Sequence, residues 1–245
     1  MTWFWGRVLA LPEPLVGWLL IHQLGALVLA GNLAPHVQPY QRQRLSLHFK
    51  LEGYKMSQMT EIRWHGRAGQ GVVTAGELLA ESAMVEGKYF QAFPEYGSER
   101  MGAPIKAYTR VSDEPIELHC PILEPDIVIV VNDNLLGIVD LTEGLKPNGK
   151  LIINTTETPA RIRERLNYRG GEVWCVDASQ IAMQELKRDI PSTMILAVIS
   201  KASGLVQLDA VTKLVRESLG NKLRPEVVEA NMRALKRAYD ECSQG

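Results

Sequence analysis

From about Met59 onward, hydrophobic and polar residues follow two alternating patterns. Short apolar runs, typical of strands, are separated by stretches in which apolar residues recur every three or four positions, as they do in helices. The run at 127–131 consists entirely of Ile and Val, which indicates a central strand buried on both faces. Strands that alternate with helices predict an α/β fold, with a mainly parallel sheet covered by helices on both faces.

Glycines cluster where the first predicted strand, at 61–66, passes into a predicted helix at 72–86. Gly66, Gly69 and Gly71 form a strand, glycine turn and helix sequence like the first unit of a Rossmann-like fold. Their spacing is G-x-x-G-x-G, whereas dinucleotide-binding enzymes carry G-x-G-x-x-G. We therefore predict an anion-binding turn, and the alternative is a tight turn that binds nothing.

The pattern beyond this turn predicts further strands and a helical C-terminal region. The strands are expected at 88–93, 105–112, 116–120, 127–131, 150–154 and 172–176. The strands at 105–112 and 116–120, joined by a turn, are expected to pair as a hairpin. Helices are expected at 135–141, 159–166, 178–187, 192–202, 209–219 and 225–239.

A loop at 94–104 is the second informative stretch of the chain. It is rich in glycine, proline and charge and contains Glu95, Tyr96, Glu99 and Arg100. Stiff, charged loops commonly present a surface to a ligand or partner. We predict such a surface here, and a solvated connection is the alternative.

Residues 1–55 differ in composition from the rest of the chain. They contain three of the five histidines, three of the five tryptophans, and five basic residues against two acidic ones. An apolar run at 15–31 is interrupted near its middle by His22 and Gln23. It is marginal for a membrane span, which needs about 20 predominantly apolar residues.

This composition predicts a domain boundary near residue 56. We expect residues 1–55 to be a leader that is disordered or not part of the native protein, with Met56 or Met59 as the start. A membrane anchor and a cleaved signal peptide remain alternatives. Residues 56–245 are expected to form the functional domain.

Overall composition excludes several classes of protein. A net charge of -1 gives no electrostatic reason to expect nucleic acid or an anionic membrane as a partner. Cys120, Cys175 and Cys242 lie far apart, without a C-x-x-C pair. We therefore predict no metal site or iron–sulfur cluster on this chain, and reduced thiols in a cytoplasm.

Catalytic motifs are also missing from the sequence. There is no G-x-S-x-G, H-E-x-x-H or G-x-x-x-x-G-K-[ST], and beyond the leader the only histidines are His65 and His119. His65 directly precedes the glycine turn, so it either serves a ligand site or packs the turn. His119 is expected to be structural. A self-sufficient hydrolase, kinase or metalloenzyme is not expected.

Two segments together resemble a known family. They are W-H-G-R-A-G-Q-G-V-V-T-A at 64–75 and F-P-E-Y-G-S-E-R-M-G-A-P-I-K-A-Y-T-R at 93–110. In this order and at this spacing they resemble the gamma subunits of pyruvate:ferredoxin oxidoreductases, within the wider family of 2-oxoacid:acceptor oxidoreductases. The resemblance runs from about Met59 to the C-terminus and does not include residues 1–55.

The resemblance implies a supporting role in a multi-subunit enzyme that converts pyruvate and coenzyme A to acetyl-CoA and CO2 and reduces ferredoxin. Thiamine diphosphate, Mg2+ and iron–sulfur clusters are then expected on other subunits, of alpha, beta and delta type. No cofactor and no catalytic residue are expected on this chain. The gamma subunit is expected to help receive coenzyme A, without a nucleic-acid or membrane partner.

By the same resemblance, two groups of site residues are assigned. The first group, expected to bind a coenzyme A phosphate or another subunit, is Gly66, Arg67, Gly69, Gln70 and Gly71. The second group, expected at the interface, is Glu95, Tyr96, Glu99 and Arg100.

Other functions stay open at this point. The 2-oxoacid could be 2-oxoglutarate or a branched-chain acid rather than pyruvate. A different class is an independent NAD(P)-binding oxidoreductase, for which Glu95 is the only acidic candidate near the end of the second strand. A membrane-anchored interaction protein would use the apolar run at 15–31.

Overall fold

The computed structural model of the chain describes residues 59–95 and 103–245, which form an α/β fold. The strands are β1 (Met59–Arg67), β2 (Tyr89–Glu95), β3 (Pro104–Ser112), β4 (Ile127–Val130), β5 (Lys150–Asn154), β6 (Glu172–Val176) and β7 (Ser243–Gln244). The α-helices of this part are α1 (Val72–Val85), α2 (Pro159–Leu166), α3 (Ala178–Leu186), α4 (Ser192–Ser203), α5 (Leu208–Gly220) and α6 (Pro225–Glu241). The predicted fold class, with its helical C-terminal region, is confirmed.

The strands form one sheet in the order β2-β3-β1-β4-β5-β6-β7. Strands β1, β4, β5 and β6 are parallel to one another, in agreement with the predicted mainly parallel sheet. Antiparallel strands flank this centre, because β3 pairs with β1 and β2 on one side and β7 pairs with β6 on the other. The sheet is therefore mixed, with a parallel centre.

Alternating side chains of the central strands enter two separate hydrophobic cores. Ile129 and Ile152 belong to the larger core, which contains residues of α1, α3, α4, α5 and α6. Val128 and Leu151 belong to a smaller core on the opposite face, with Ile162 of α2. Because side chains alternate along a strand, each strand stabilises both layers, as its apolar sequence predicted.

Local sequence signals set the ends of α2. The Thr158 hydroxyl accepts a hydrogen bond from the backbone N–H of Arg161, and Pro159 occupies the first turn, where it costs no hydrogen bond. The helix ends at Asn167, whose φ of 48° lies in the left-handed region. These bounds coincide with those predicted from the sequence.

The predicted hairpin between 105–112 and 116–120 is wrong. Both edges of β3 are already paired, one with β1 and the other with β2, so a third strand has no edge to join. The carbonyls of Leu118 and Cys120 instead accept hydrogen bonds from the buried guanidinium of Arg110, at 3.4 and 2.8 Å. The segment is therefore held by a side chain of β3 rather than by its backbone.

The predicted helix at 135–141 is also wrong. Only a short 3-10 helix, Asp133–Leu135, forms there, and the Asn132 side chain caps it by accepting from the N–H of Asn134. Gly137 then adopts a φ of 83°. That left-handed conformation ends any helical continuation.

Parts of the earlier predictions lie outside the described residues. These are the leader at 1–55, including its apolar run, the boundary near residue 56, and most of the loop at 94–104. The ends of that loop are extended, because Glu95 completes β2 and Pro104 begins β3. Among residues 59–95 and 103–245, no helix is long and apolar enough to cross a membrane.

The sheet centre makes a direct prediction about stability. Ile152 is fully buried, whereas Ile138 is 60% exposed. Ile152→Ala is expected to lower the free energy of unfolding by about 2–5 kcal/mol, because it leaves a cavity between packed layers. Ile138→Ala removes the same atoms from the surface and is expected to change it by less than about 0.5 kcal/mol. Urea denaturation of both variants measures the difference, and equal losses would contradict the described packing.

Candidate functional site

The glycine turn lies at the point where the sheet changes direction. From β1 the chain continues through α1 to β2 and β3 on one side, whereas from β4 it continues to β5 on the other side. Strands β1 and β4 are parallel neighbours, so their carboxyl ends leave a crevice between diverging connections. Open α/β sheets bind ligands in this position.

Two glycines shape the turn through conformations that other residues rarely adopt. Gly69 has a φ of 92° and Gly71 a φ of 73°. The turn is closed by the N–H of Gln70, which donates to the carbonyl of Arg67 at 3.1 Å, and by the N–H of Arg67, which donates to Oε1 of Gln70 at 2.9 Å. The Gln70 side chain thus holds the turn in shape.

Gly66 has a different role, which is close packing. A Cβ atom at this position would lie 2.3 Å from Cγ2 of Val72, the first residue of α1. Valine is stiff about χ1, so it could not move away easily. The glycine therefore allows α1 to start directly beside the end of β1.

The turn leaves backbone donors at the start of α1. Gly71 occupies the N-cap position without a side-chain cap, and its carbonyl accepts from the N–H of Ala75 at 2.8 Å. The N–H groups of Val72, Val73 and Thr74 precede the first such bond, as at any helix start. Such groups, together with the positive end of the helix dipole, form an anion-binding arrangement.

The two segments singled out in the sequence meet at this edge of the sheet. The N–H of Ala68 donates to the carbonyl of Ala103 at 3.2 Å, and Arg67 is the register partner of Pro104. Glu95, at the end of β2, is exposed and accepts a hydrogen bond from the Tyr108 hydroxyl. Tyr96, Glu99 and Arg100 lie outside the described residues.

His65 is buried beneath the turn, with 2% of its surface exposed. Its Nε2 accepts a hydrogen bond from Nε of Arg63 at 3.0 Å, so in the neutral ring the proton is on Nδ1. Burial, and then the positive charges of Arg63 and Lys106, lower the pKa of His65 to about 3. The ring is therefore neutral at pH 7, which supports the interpretation that it packs the turn.

Two further polar residues, Arg63 and Tyr108, lie near His65 and farther from the turn. The Arg63 guanidinium is 4% exposed and donates to the carbonyls of Glu143 and Leu141, at 2.5 and 3.4 Å. Burial lowers its pKa, although the charges around it oppose this. Burial and the bond to Glu95 raise the pKa of Tyr108, so the phenol stays protonated.

Sequence reasoning missed several polar residues at the same edge. Asn154, at the end of β5, donates from Nδ2 to the carbonyl of Val131 and to the Ser179 hydroxyl, both at 2.9 Å. The Thr155 hydroxyl donates to Oδ2 of Asp133 at 3.2 Å. Their position directly after a predicted buried strand was the available signal, because carboxyl ends of parallel strands share one edge.

Ser192, the first residue of α4, also lies against the turn and was not predicted. Its Oγ is 3.0 Å from the position that a Cβ of Gly71 would occupy. The sequence offered no pattern for this contact, because a serine at a helix start is common.

The geometry disfavours a dinucleotide site. In a Rossmann unit the strand that carries the acidic ribose-binding residue is next to β1. Here β3 lies between β1 and β2, so Glu95 is two strand spacings from β1, roughly 10 Å rather than 5 Å. Its carboxylate also accepts from Tyr108.

No metal-binding cluster is visible in the described ranges, where no three His, Cys, Asp or Glu side chains are grouped to hold an ion. Cys120, Cys175 and Cys242 are free thiols. The expectation that the chain carries no metal or cluster stays a prediction.

A family model described as pyruvate ferredoxin/flavodoxin oxidoreductase matches residues 61–241. This chain belongs to that family. The match covers the glycine turn, the β2–β3 hairpin and all six helices of the described part. The family resemblance inferred from the two sequence segments is confirmed.

Individual family members are similar to this chain over nearly their whole length. The pyruvate synthase subunit PorC of Thermotoga maritima is 45% identical over 186 residues, which are 75% of this chain and 96% of that protein. The pyruvate/ketoisovalerate oxidoreductases common subunit gamma of Thermococcus litoralis is 42% identical over 182 residues, 74% and 96% of the two chains. A crystal structure of the pyruvate oxidoreductase subunit PORC from Thermotoga maritima has a TM-score of 0.68 at 41% identity, covering 76% of this chain and 98% of that one.

The packing role of Gly66 can be tested by adding one methyl group. Gly66→Ala is expected to lower the free energy of unfolding by about 1–3 kcal/mol, because Val72 or the backbone must shift. Gly220→Ala is the matched control, since its Cβ would meet nothing within 4 Å and alanine favours the helix end there. Chemical denaturation compares the two, and a Gly66→Ala protein as stable as the wild type would contradict this role.

The buried His65 predicts a pH dependence of stability. Its pKa is about 3 in the folded chain against 6.5 for an exposed ring, so below pH 6.5 the unfolded chain binds a proton that the folded chain does not. The contribution of His65 to the free energy of unfolding is therefore fully present above pH 6.5. It is lost as the pH falls towards 3, by about 1.4 kcal/mol per pH unit in the middle of that range.

Urea denaturation from pH 7.5 to 4 measures this effect. His65→Gln is expected to lose free energy of unfolding less steeply with falling pH than the wild type. His119→Gln, at an exposed position, is expected to retain the wild-type slope. A His65→Gln slope equal to that of the wild type would show that the ring is not held neutral.

Proposed function

We propose that this chain is the gamma subunit of a pyruvate-type, ferredoxin-dependent oxidoreductase. The complex converts pyruvate and coenzyme A to acetyl-CoA and CO2 and passes the released electrons to ferredoxin. The observation that carries the proposal is the 45% identity to a pyruvate synthase subunit across 96% of that subunit. Identity of this extent goes well beyond a shared fold.

The proposal assigns the redox chemistry to other subunits. Thiamine diphosphate, Mg2+ and the iron–sulfur clusters would reside on alpha, beta and delta type partners, and ferredoxin would meet the complex there. The side chains of this chain support the division, because its three cysteines are isolated free thiols and His65 is held neutral by burial. We infer that the isolated chain has no catalytic activity.

We propose that the turn formed by Gly66, Arg67, Gly69, Gln70 and Gly71 contributes to the coenzyme A site. The chemistry fits, because the start of α1 offers backbone N–H groups and no acidic side chain occupies its first turn. Gly69 and Gly71 allow the backbone to approach a phosphate, and Gln70 fixes the turn. Arg67 would add a bidentate donor.

We propose that the loop entered from Glu95, with Tyr96, Glu99 and Arg100, contacts a partner subunit. Supporting this, the loop is joined to the turn region by Ala68 and Ala103, so both would meet the same partner. Tyrosine and arginine are favoured anchors at interfaces.

We place the complex in the cytoplasm. All three cysteines are free thiols, and Cys175 and Cys242 are buried, which suits a reducing compartment.

Anaerobic co-expression tests the proposal. The chain would be produced with the candidate thiamine-binding and cluster-bearing subunits, with the affinity tag on the thiamine-binding subunit. Tagging the end of this chain is avoided because Gly245 pairs with Val173 and accepts from Arg163 at 2.8 Å. The chain is expected to co-purify, and the complex to reduce ferredoxin only when both pyruvate and coenzyme A are present.

A preparation made without this chain is the control and is expected to lose most of that activity. A complex that is fully active without it, or that excludes it, would overturn the proposal.

A fluorescence titration of the purified chain with NADH addresses the other class of function. Saturable micromolar binding would favour an independent NAD(P)-dependent oxidoreductase, against the strand spacing described above.

A second candidate is a gamma subunit shared between oxidoreductases for different 2-oxoacids. The observation that favours it is the 42% identity to a subunit named as common to pyruvate and ketoisovalerate oxidoreductases. Tagging this chain's partners one at a time in the native cells distinguishes the two candidates. Recovery of the chain with a branched-chain 2-oxoacid activity would support the shared role, and recovery with pyruvate activity alone would exclude it.

A further inference from the structure

Ser192, the first residue of α4, is a buried residue whose hydroxyl the fold does not use. The residue is 6% exposed, and its side chain makes no hydrogen bond with the described residues. The other two serines of α4 do have partners, because Ser200 donates to Val206 at 2.8 Å and Ser203 donates to Ile199 at 2.7 Å. The Ser192 hydroxyl is therefore available to a group that reaches the glycine turn.

This hydroxyl is directed at the glycine turn. Among the atoms around Gly71, Oγ of Ser192 is the nearest to the position of a Cβ, at 3.0 Å. Any side chain at 71 would crowd this oxygen, and Gly71 also has a positive φ that L-residues rarely adopt. The glycine therefore lets Oγ of Ser192 lie directly against the turn.

Two helix N-termini meet at this position. Helix α1 has 14 residues and α4 has 12, and neither has a side-chain cap or an acidic residue in its first turn. Helices of this kind commonly begin with a cap or a carboxylate that satisfies the free N–H groups. Here Gly71 and Pro191 occupy the cap positions, and neither has a side chain that can accept a hydrogen bond.

A phosphoryl group matches these donors. It carries negative charge and several acceptor oxygens, so it can receive hydrogen bonds from more than one direction. The N–H groups of Val72 and Val73 would donate from one helix, and Ser192 Oγ with the N–H of Thr193 from the other.

We propose that Ser192 joins the first turns of α1 and α4 into a single phosphate-binding site. In the assembled enzyme the phosphoryl group comes from coenzyme A, and this part rests on the proposed function. Ser192 is a binding residue that touches no reacting atom, so it affects the affinity for the phosphorylated substrate rather than the chemical step.

Kinetics of the assembled complex test the site. Ser192→Ala removes one hydrogen bond to a charged group and is expected to raise the KM for coenzyme A roughly ten-fold, with kcat at saturation unchanged. Ser192→Asp places a negative charge at the site and is expected to raise that KM on the order of 100-fold. The KM for pyruvate is expected to stay within about two-fold of the wild type, since uniform loss of binding would change both.

The matched control is Ser203→Asp, which puts the same charge at the opposite end of α4, about 17 Å away. It is expected to leave the KM for coenzyme A unchanged. If both Ser192 variants assemble fully and keep the wild-type KM for coenzyme A, the assignment to coenzyme A is wrong. If the Asp variant does not fold, the Ala variant decides.

Calorimetric titration of the full chain with inorganic pyrophosphate separates the site from the proposed function. The wild type and Ser203→Asp are expected to bind, and Ser192→Asp is expected not to. Pyrophosphate binding that depends on Ser192, with an unchanged KM for coenzyme A, would mean that the site takes a free phosphate instead. A wild-type chain that does not bind pyrophosphate would overturn the site, whereas a wild-type chain that binds it but does not assemble would overturn only the proposed function.

Discussion

The close approach of α1 to the sheet is the constraint on which the rest of the structure depends. At Gly66 a Cβ would collide with Val72, and at Gly76 it would lie 3.0 Å from Oγ1 of Thr109. That hydroxyl accepts from the Trp64 indole at 3.0 Å and donates to the carbonyl of Gly76 at 3.3 Å. Helix and sheet are thus joined by small residues and direct hydrogen bonds, which fixes where the helix begins and where its N–H groups point.

On the opposite face of the same strands, buried arginine side chains make the contacts instead of a helix. Arg63 and Arg110 are almost completely buried, and both direct guanidinium groups at backbone carbonyls of irregular segments. Arg110 also forms an ion pair with Glu61 at 2.9 Å. A buried guanidinium has a large desolvation cost unless its donors are satisfied, so these carbonyls hold the loops and the arginines in place together. Polar contacts here take over the role that a covering helix has elsewhere in the sheet.

Sequence reasoning succeeded where the deciding interactions are local. The bounds of β5, β6 and α2 coincide with their predictions, because β-branched runs, a Thr cap and Pro159 act within a few residues. It failed at 116–120, where the alternating pattern is typical of a strand. The backbone carbonyl of Cys120 accepts a hydrogen bond from Arg110 there instead of pairing with another strand. The glycine turn was recognisable from its glycines, whereas the contact between Gly71 and Ser192 joins distant parts of the chain and leaves no local pattern.

The central place of β1 has a consequence for how the protein is made. Glu61 and Asp126, 65 residues apart, are joined by a hydrogen bond of 2.8 Å, and β1 pairs with β4 only beyond that point. During synthesis β1 must therefore remain without its parallel neighbour until the ribosome has added β4. Ile62 and Trp64, fully buried in the finished fold, have no complete core until then. Pairing at such separation is slow to nucleate, so the nascent chain has an aggregation-prone interval that chaperones would be expected to cover.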